Sequence, residues 1–453
     1  MDILQNILFF IVAIAILVTI HEFGHYWVAK QLGIKILKFS VGFGKPLWST
    51  RLGSDDTEFA IGAIPLGGYV KMLDEREGPV PMDLRDRAFN NKPVLHRIAV
   101  VAAGPIFNFL FAIVAYWLMF VLGVTGVKPL IGEVKQDTPA YTAGIEQGHE
   151  ILAVDGERTP TWSAFVQKCI NKIVDEEPLT VLVKDSVGAE QTLKMDLSSI
   201  QVDDLSKGNL LEQLGFSPKR FPLPAVIEKV LPDSPAEKAG LMPKDKILSA
   251  DGQLIVNWTE WVSYVQKRPN QTIETEVFRD ENKITLQLVP APTKQGEKTI
   301  GRIGAIAKAK PLDKSYLGKE QFSPINALQQ GVKKTWEMST LTLKLMGKMI
   351  MGEASVKNLS GPISIAQYAG QSANMGLTAF LSFLAIVSVS LGVLNLLPIP
   401  ILDGGHLLYY LVELIIGKPV SESVQLVGQN IGVLLLVAMM SIAFYNDIMR
   451  LFS

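Results

Sequence analysis

The residues best suited to chemistry stand near the start of the chain, in His21-Glu22-Phe23-Gly24-His25. Residues four apart share one helix face, so His21 and His25 can grip one metal ion. Glu22 stands beside them, placed to take a proton from a water activated there. The setting sharpens the motif. The run from Ile3 to Ile20 carries no Lys, Arg, Asp or Glu, and ionisable groups inside a membrane span are costly and usually functional. The competing reading is a helix end whose polar side chains reach out to water.

A catalytic zinc usually takes three protein ligands and keeps one position open. The chain has five histidines. His149 falls in an expected external domain and His96 just before a second apolar segment, which leaves His406 or a carboxylate. Apart from Glu413, Asp403 is the only acid between Leu377 and Lys418, and it sits in Asn395-Leu-Leu-Pro-Ile-Pro-Ile-Leu-Asp-Gly-Gly-His406. Pro398 and Pro400 break the helix, and Gly404 and Gly405 free the backbone. Irregular backbone at membrane depth is tolerated only where protein or water covers it. A broken span with one acid is therefore a natural source of a third ligand. Asp403 could instead cap the following helix, and His406 could be a hydrogen-bonded neighbour of the site. Asn395, an amide in an apolar span, must find a partner.

These groups need elements to hold them. Ile98 to Val121 and Leu377 to Leu402 are also free of charge, and with the first run they reach spanning length. Ile431 to Phe444 reaches it if the helix begins near Val424. Charged residues make up 19% of the 453, below the roughly 25% of a soluble domain. The net charge of −1 argues against nucleic acid as a partner. The single cysteine, Cys169, excludes an internal disulfide. The first run has no basic leader, since Lys30 is the first cation, and it reads as a retained span. Lys30, Lys35, Lys38, Lys45, Arg51, Lys92 and Arg97 lie between spans one and two. The positive-inside rule puts that loop in the cytoplasm and both termini outside, together with the long stretch after span two. Within the loop, residues 57 to 72 are rich in glycine and apolar residues and read as a hairpin. An open edge there, with Ile61 taken as an edge position, could pair with a substrate strand.

Asp137-Thr-Pro-Ala, Ala143-Gly144 and Asp155-Gly156 recur 96 positions later as Asp233-Ser-Pro-Ala, Ala239-Gly240 and Asp251-Gly252, and Trp162 recurs as Trp258. A constant register over this distance implies two copies of one domain. Each copy resembles a PDZ domain of the bacterial, circularly permuted kind, over about residues 127–310. Such domains bind extended peptides or chain termini, here at Leu214-Gly215-Phe216 and Ile303-Gly304-Ala305. The alternative is that the pair only blocks access. Beyond it, Trp336, Leu341, Leu345 and Met349 recur among Lys333, Lys334, Lys344 and Lys348, the pattern of a helix lying on the membrane surface or of a packing helix.

The histidine motif and the Asn395-to-His406 segment together resemble the site-2 protease family of intramembrane zinc metalloproteases. The paired PDZ-like domains, Gly104-Pro105 with Asn108, and Asn358-Leu-Ser-Gly-Pro362 narrow the likeness, which runs nearly end to end. The resemblance implies a multi-span α-helical membrane protein with four transmembrane helices, a membrane-dipping β-hairpin and two inserted α+β domains. Its boundaries would be span one with the motif at 1–30, the β region at 31–96, span two at 97–124, PDZ-like domains at 127–220 and 221–310, an amphipathic linker at 320–376, span three with the broken segment at 377–416 and span four at 424–448. It implies one Zn2+ held by His21, His25 and Asp403, with Glu22 as acid and base. Substrate would be held by Asn395 and by hairpin residues Ile61, Gly62, Gly67 and Gly68. The implied substrates are single-span membrane proteins in a bacterial inner membrane, such as anti-sigma factors already cut outside and signal-peptide remnants, with the PDZ pair as a size filter. A non-enzymatic scaffold or a zinc-binding transporter are the competing readings, and neither accounts for Glu22.

Overall fold

The computed structural model describes residues 3–200, 210–221, 223–295, 298–308, 313–356 and 359–452. The first apolar run forms helix α1 (Ile3–Gln31). Strands β1 (Ile36–Leu52) and β2 (Thr57–Met72) follow as an antiparallel pair. Both strands fold back at glycines. Gly42, Gly44 and Gly67 have positive φ, and a Cβ on Gly62 would lie 2.6 Å from the Gly42 carbonyl carbon. Residues 38–41 therefore pair on one side with 58–61 and on the other with 68–71, while 46–52 pair with 57–62. The result is four rungs in the order 46–52, 57–62, 36–41, 68–72. This corrects the expectation of a hairpin within 57–72, whose two halves flank 36–41 instead of each other. It also corrects Ile61 as an edge position, because Ile61 pairs with both Val41 and Trp48. Alternation along a strand reports which face is apolar and leaves the pairing partner unspecified.

Helix α2 (Val94–Leu122) leads through β3 (Val124–Val127) into the repeated region. The first unit contains β4 (Ile131–Val134), α3 (Pro139–Thr142), β5 (Glu150–Val154), β6 (Glu157–Arg158), α4 (Trp162–Asp175), β7 (Leu179–Lys184), β8 (Glu190–Met195), α5 (Leu210–Leu214) and β9 (Phe216–Pro218). The second contains β10 (Ile227–Val230), α6 (Pro235–Lys238), β11 (Lys246–Ala250), β12 (Gln253–Leu254), α7 (Trp258–Gln266), β13 (Ile273–Arg279), β14 (Asn282–Leu288), β15 (Ala291–Gln295), β16 (Lys298–Arg302) and β17 (Ala305–Ala307). Their sheets run β6-β5-β7-β8 and β12-β11-β13-β14, with β4 beside β9 and β10 beside β17. The repeat reaches the caps: Thr138 and Ser234 cap the short helices, and Thr161 and Asn257 cap the long ones. Asp155 and Asp251 turn the chain with φ of 48° and 47°.

Strand β18 (Leu317–Glu320) pairs back onto β3, so both units hang from one two-stranded stem. Helix α8 (Pro324–Met351) then packs on α2, where a Cβ on Gly331 would lie 2.9 Å from the Ile113 carbonyl oxygen. Leu341, with Met338, Leu345 and Met349, joins the core of the first unit. Lys333, Lys344 and Lys348 pair with Glu157, Asp175 and Glu176 of that unit. Trp336 is 71% exposed and does not share the face of Leu341, so the apolar residues of this helix divide between two faces.

Helices α9 (Pro362–Met375), α10 (Leu377–Leu396), α11 (Asp403–Ile416) and α12 (Glu422–Phe452) complete the chain. Helices α1, α2, α10 and α12 are long and apolar enough to cross a membrane. Asn358 lies outside the described residues. Gly361 and Pro362 begin α9, whose own N-cap has no side chain to offer. The cap comes from α12: Asp447 accepts hydrogen bonds from the Gly361, Ile363 and Ser364 amides at 3.0, 2.9 and 3.0 Å and from the Ser364 hydroxyl. A carboxylate on a helix N-terminus satisfies orphan donors and meets the positive end of the helix dipole. Asp447→Ala should cost about 2–3 kcal/mol locally. Amide hydrogen exchange over residues 361–375 checks this, with faster exchange there and unchanged rates in α2 as the expected outcome.

Candidate metal centre

His21 and His25 lie one turn apart near the C-terminal end of α1, and Asp403 is the first residue of α11. Their donor atoms converge. The two Nε2 atoms are 3.3 Å apart, and Asp403 Oδ2 lies 3.2 Å from that of His21 and 3.6 Å from that of His25. Ligands at zinc–nitrogen and zinc–oxygen distances of about 2.0–2.1 Å in a tetrahedron are themselves about 3.3 Å apart, so the triangle has the edge length of a tetrahedral zinc site. Asp403 Oδ2 is buried and accepts no hydrogen bond. A buried carboxylate oxygen facing two imidazole nitrogens suits a cation. Two histidines and a carboxylate are also a donor set that zinc favours.

The broken segment explains how Asp403 reaches this place. Leu402 is the N-cap of α11, and no side chain caps that helix, so Asp403 is not spent on its own helix end. A Cβ on Gly404 would collide with the Leu397 carbonyl oxygen, and one on Gly405 would lie 2.6 Å from that of Ile399. The glycines thus let the helix start seat directly on the 396–400 backbone. Ile401 sits at φ 101°, a strained conformation for a β-branched residue immediately before the site. His406 lies one turn further along α11 and is not one of the three converging donors.

Helix α2 forms the back wall. The Val100 carbonyl lies 2.9 Å from His25 Nδ1, a partner that leaves Nε2 to face the site. A Cβ on Gly104 would collide with His25 Nε2 and lie 2.8 Å from His21 Cε1. A Cβ on Gly24 would lie 2.5 Å from the Ala103 carbonyl oxygen, so α1 and α2 touch backbone to backbone here. Arg97 of α2 holds α11 by a two-pronged pair with Glu413 at 2.6 and 3.1 Å, over the Tyr410 ring at 4.8 Å. The sequence gives no sign of this clasp, which joins residues 316 positions apart.

Glu22 lies against the folded sheet. A Cβ on Gly68 would lie 3.1 Å from Glu22 Cγ and 2.7 Å from the Ser40 carbonyl oxygen. Of the expected substrate residues, Gly67 and Gly68 therefore lie on the rung beside the catalytic helix. Ile61 and Gly62 lie on an inner rung. Asn395 occupies the last turn of α10, and its side chain makes no hydrogen bond among the described residues. In the external units, Leu214, Phe216 and Ile303 are buried in the cores. Gly215 and Gly304 turn the chain at positive φ against Thr138 and Ser234.

Comparison with known proteins is consistent along the whole chain. The model of peptidase family M50 matches residues 9–439. The chain is 44% identical over 444 residues, 98% of each sequence, to the regulator of sigma-E protease RseP of Escherichia coli. It is 44% identical over 455 residues, 100% of each, to protease RseP of Yersinia pestis. It is 41% identical over 452 residues, 99% of this chain and 100% of the other, to a Vibrio cholerae protein provisionally named a zinc metalloprotease.

Gly104→Ala tests the back wall. The added methyl must push the imidazoles out of the triangle while the apolar packing of α2 is kept. Zinc content of the purified protein should fall at least tenfold with the helix content unchanged, as read by metal analysis and circular dichroism.

Proposed function

The chain belongs to peptidase family M50, and on that premise we propose that His21, His25 and Asp403 hold its zinc and that Glu22 moves the protons of peptide hydrolysis. The protein is a zinc metalloprotease of the site-2 type embedded in a bacterial inner membrane, acting in sigma-E regulation. The observation that carries the residue roles is the triangle of three donor atoms, with the carboxylate-bearing Glu22 next to His21 and three residues before His25.

Zinc, when bound, supplies the Lewis acidity that activates water and polarises a peptide carbonyl. Glu22 accepts the water proton and delivers it to the leaving amine nitrogen, so that the N–H forms as the C–N bond breaks. A helical substrate must expose a peptide bond before attack. The rung at 68–72 is paired only on its 36–41 side among the described residues, and Glu22 lies against it at Gly68. An extended substrate segment adding there would gain main-chain hydrogen bonds and be delivered to the carboxylate. Asn395, whose side chain makes no hydrogen bond among the described residues, is available to a substrate backbone. Basic residues in the 30–97 loop support a cytoplasmic opening of the site and an external position for both α+β units.

We read those two units as PDZ domains forming a size filter, with pre-cut anti-sigma factors and signal-peptide remnants as substrates. Both hang from the β3–β18 stem directly beyond α2, a position that limits what can approach the site from that side. A bulky folded domain would be excluded, and a short stub admitted.

Two measurements test this function. Glu22→Gln should keep its zinc and lose cleavage of a single-span substrate by a factor of about 10²–10⁴, whereas Asp403→Ala should lose the zinc itself. Wild-type cleavage by Glu22→Gln, or full zinc in Asp403→Ala, overturns the assignment. For the filter, cleavage should fall steeply as folded domains of increasing size are appended outside one substrate helix. A rate independent of that size removes the filter.

A further inference from the structure

Asn108 of α2 is fully buried, and its side-chain Nδ2 lies 3.1 Å from His21 Nδ1. Its Oδ1 is buried with no hydrogen-bond partner. Its main-chain carbonyl accepts a hydrogen bond from the Ser388 hydroxyl of α10 at 2.8 Å, which fixes the position of the residue between α1 and α10. Val100, Gly104 and Asn108 are spaced four apart and share one face of α2. The first supplies the carbonyl behind His25, the second makes room for both rings, and the third stands behind His21.

The contact has a definite proton requirement. An amide NH2 only donates, so this hydrogen bond forms when His21 Nδ1 is the bare ring nitrogen and Nε2 carries the proton. Giving the Nε2 electron pair to a metal places the proton on Nδ1 instead. An NH2 group then faces an N–H, and the contact turns repulsive. Rotating the amide end for end puts Oδ1 on Nδ1–H, since the two ends of an amide have nearly the same shape. The unpartnered buried place now held by Oδ1 passes to Nδ2. One polar atom lacks a partner in either orientation, so the contact to His21 decides between them.

We infer that Asn108 is a positioning residue for His21 that serves both ring tautomers by reversing its amide, donating to a bare Nδ1 and accepting from Nδ1–H when Nε2 binds zinc. The inference rests on His21 as a zinc ligand. An amide is the one common side chain of this size that can do both. Aspartate at this position could only accept and would favour the zinc-binding tautomer. Leucine, of nearly equal size, could do neither.

The test uses full-length protein in detergent. Zinc affinity is measured by competition with a chelator, and the zinc-induced rise in melting temperature provides a second readout, for wild type, Asn108→Leu, Asn108→Asp and His21→Ala. The leucine variant should bind zinc about 10- to 100-fold more weakly. The aspartate variant should bind it at least as tightly as wild type, a rescue that a purely space-filling role would not give. Its cobalt(II) form should keep the visible spectrum of wild type, and that of the leucine variant should shift. Wild-type affinity in Asn108→Leu overturns the inference, as does weaker binding than wild type in Asn108→Asp. The second of these decides alone if the leucine variant does not fold. His21→Ala separates the layers. If it keeps wild-type affinity, the ligand assignment beneath the inference fails. If it loses zinc while Asn108→Leu does not, Asn108 alone is excluded.

Discussion

Helices α1 and α2 meet at Gly24 and Gly104, and the His21–His25–Asp403 donor triangle can close because no side chain stands between them. At Gly24 the Ala103 carbonyl occupies the space of a Cβ, and at Gly104 the two imidazoles do. Lipid provides no hydrophobic drive to press two apolar helices together, so close backbone approach and its dispersion contacts must do this. The approach also decides what α2 can offer the histidines. At ordinary helix separation a carbonyl such as that of Val100 would be out of reach of His25 Nδ1. Pro105 contributes here too, because a proline lacks the N–H that would bond to residue 101 and loosens the helix next to the contact.

From that contact α2 organises the rest of the membrane part. Its Arg97 holds α11, and through α11 the position of Asp403. Its carbonyl at Asn108 takes the Ser388 hydroxyl of α10, and its surface near Ile113 receives α8 at Gly331. The Arg97–Glu413 pair is about nine-tenths buried by side chain. A pair of this kind gains little net stability, because desolvation offsets the attraction, yet breaking it leaves an expensive lone charge. Its value lies in register. Helix α11 could slide or rotate along α2 with little change in apolar contact. Only one alignment pairs the two charges, and that alignment aims Asp403 at the imidazoles.

The candidate donor cluster was legible in the sequence where it is local. His21, Glu22 and His25 are set by the pitch of a helix, and the proline and glycine pairs around Asp403 announce a broken span. The repeat was legible because turn and cap residues recur at one offset. What the sequence left open is what tertiary pairing decides. Nothing in residues 57–72 says that both halves flank 36–41, so Ile61 looked like an edge residue and is an inner one. Nothing near Asp447 says that it caps a helix 83 positions earlier. In α8 the heptad-like spacing suggested one apolar face, but two different neighbours divide it, with Leu341 in the first unit and Trp336 on the outside.

That division separates the two external units, which follow one plan but are held differently. The core of the first extends into α8 through Leu341 and Ala354, and lysines of α8 meet its acidic residues. The core of the second contains only residues 225–305. Its end is tied to the stem region by a tilted ring contact of Phe221 with Tyr316 at 4.3 Å. A barrier over a membrane site needs a fixed part to set its position and a second part to set the width of the opening. Through α8 the first unit is fastened to α2, the same helix that aligns the metal ligands. On the proposed reading, the filter and the catalytic centre therefore share one reference frame.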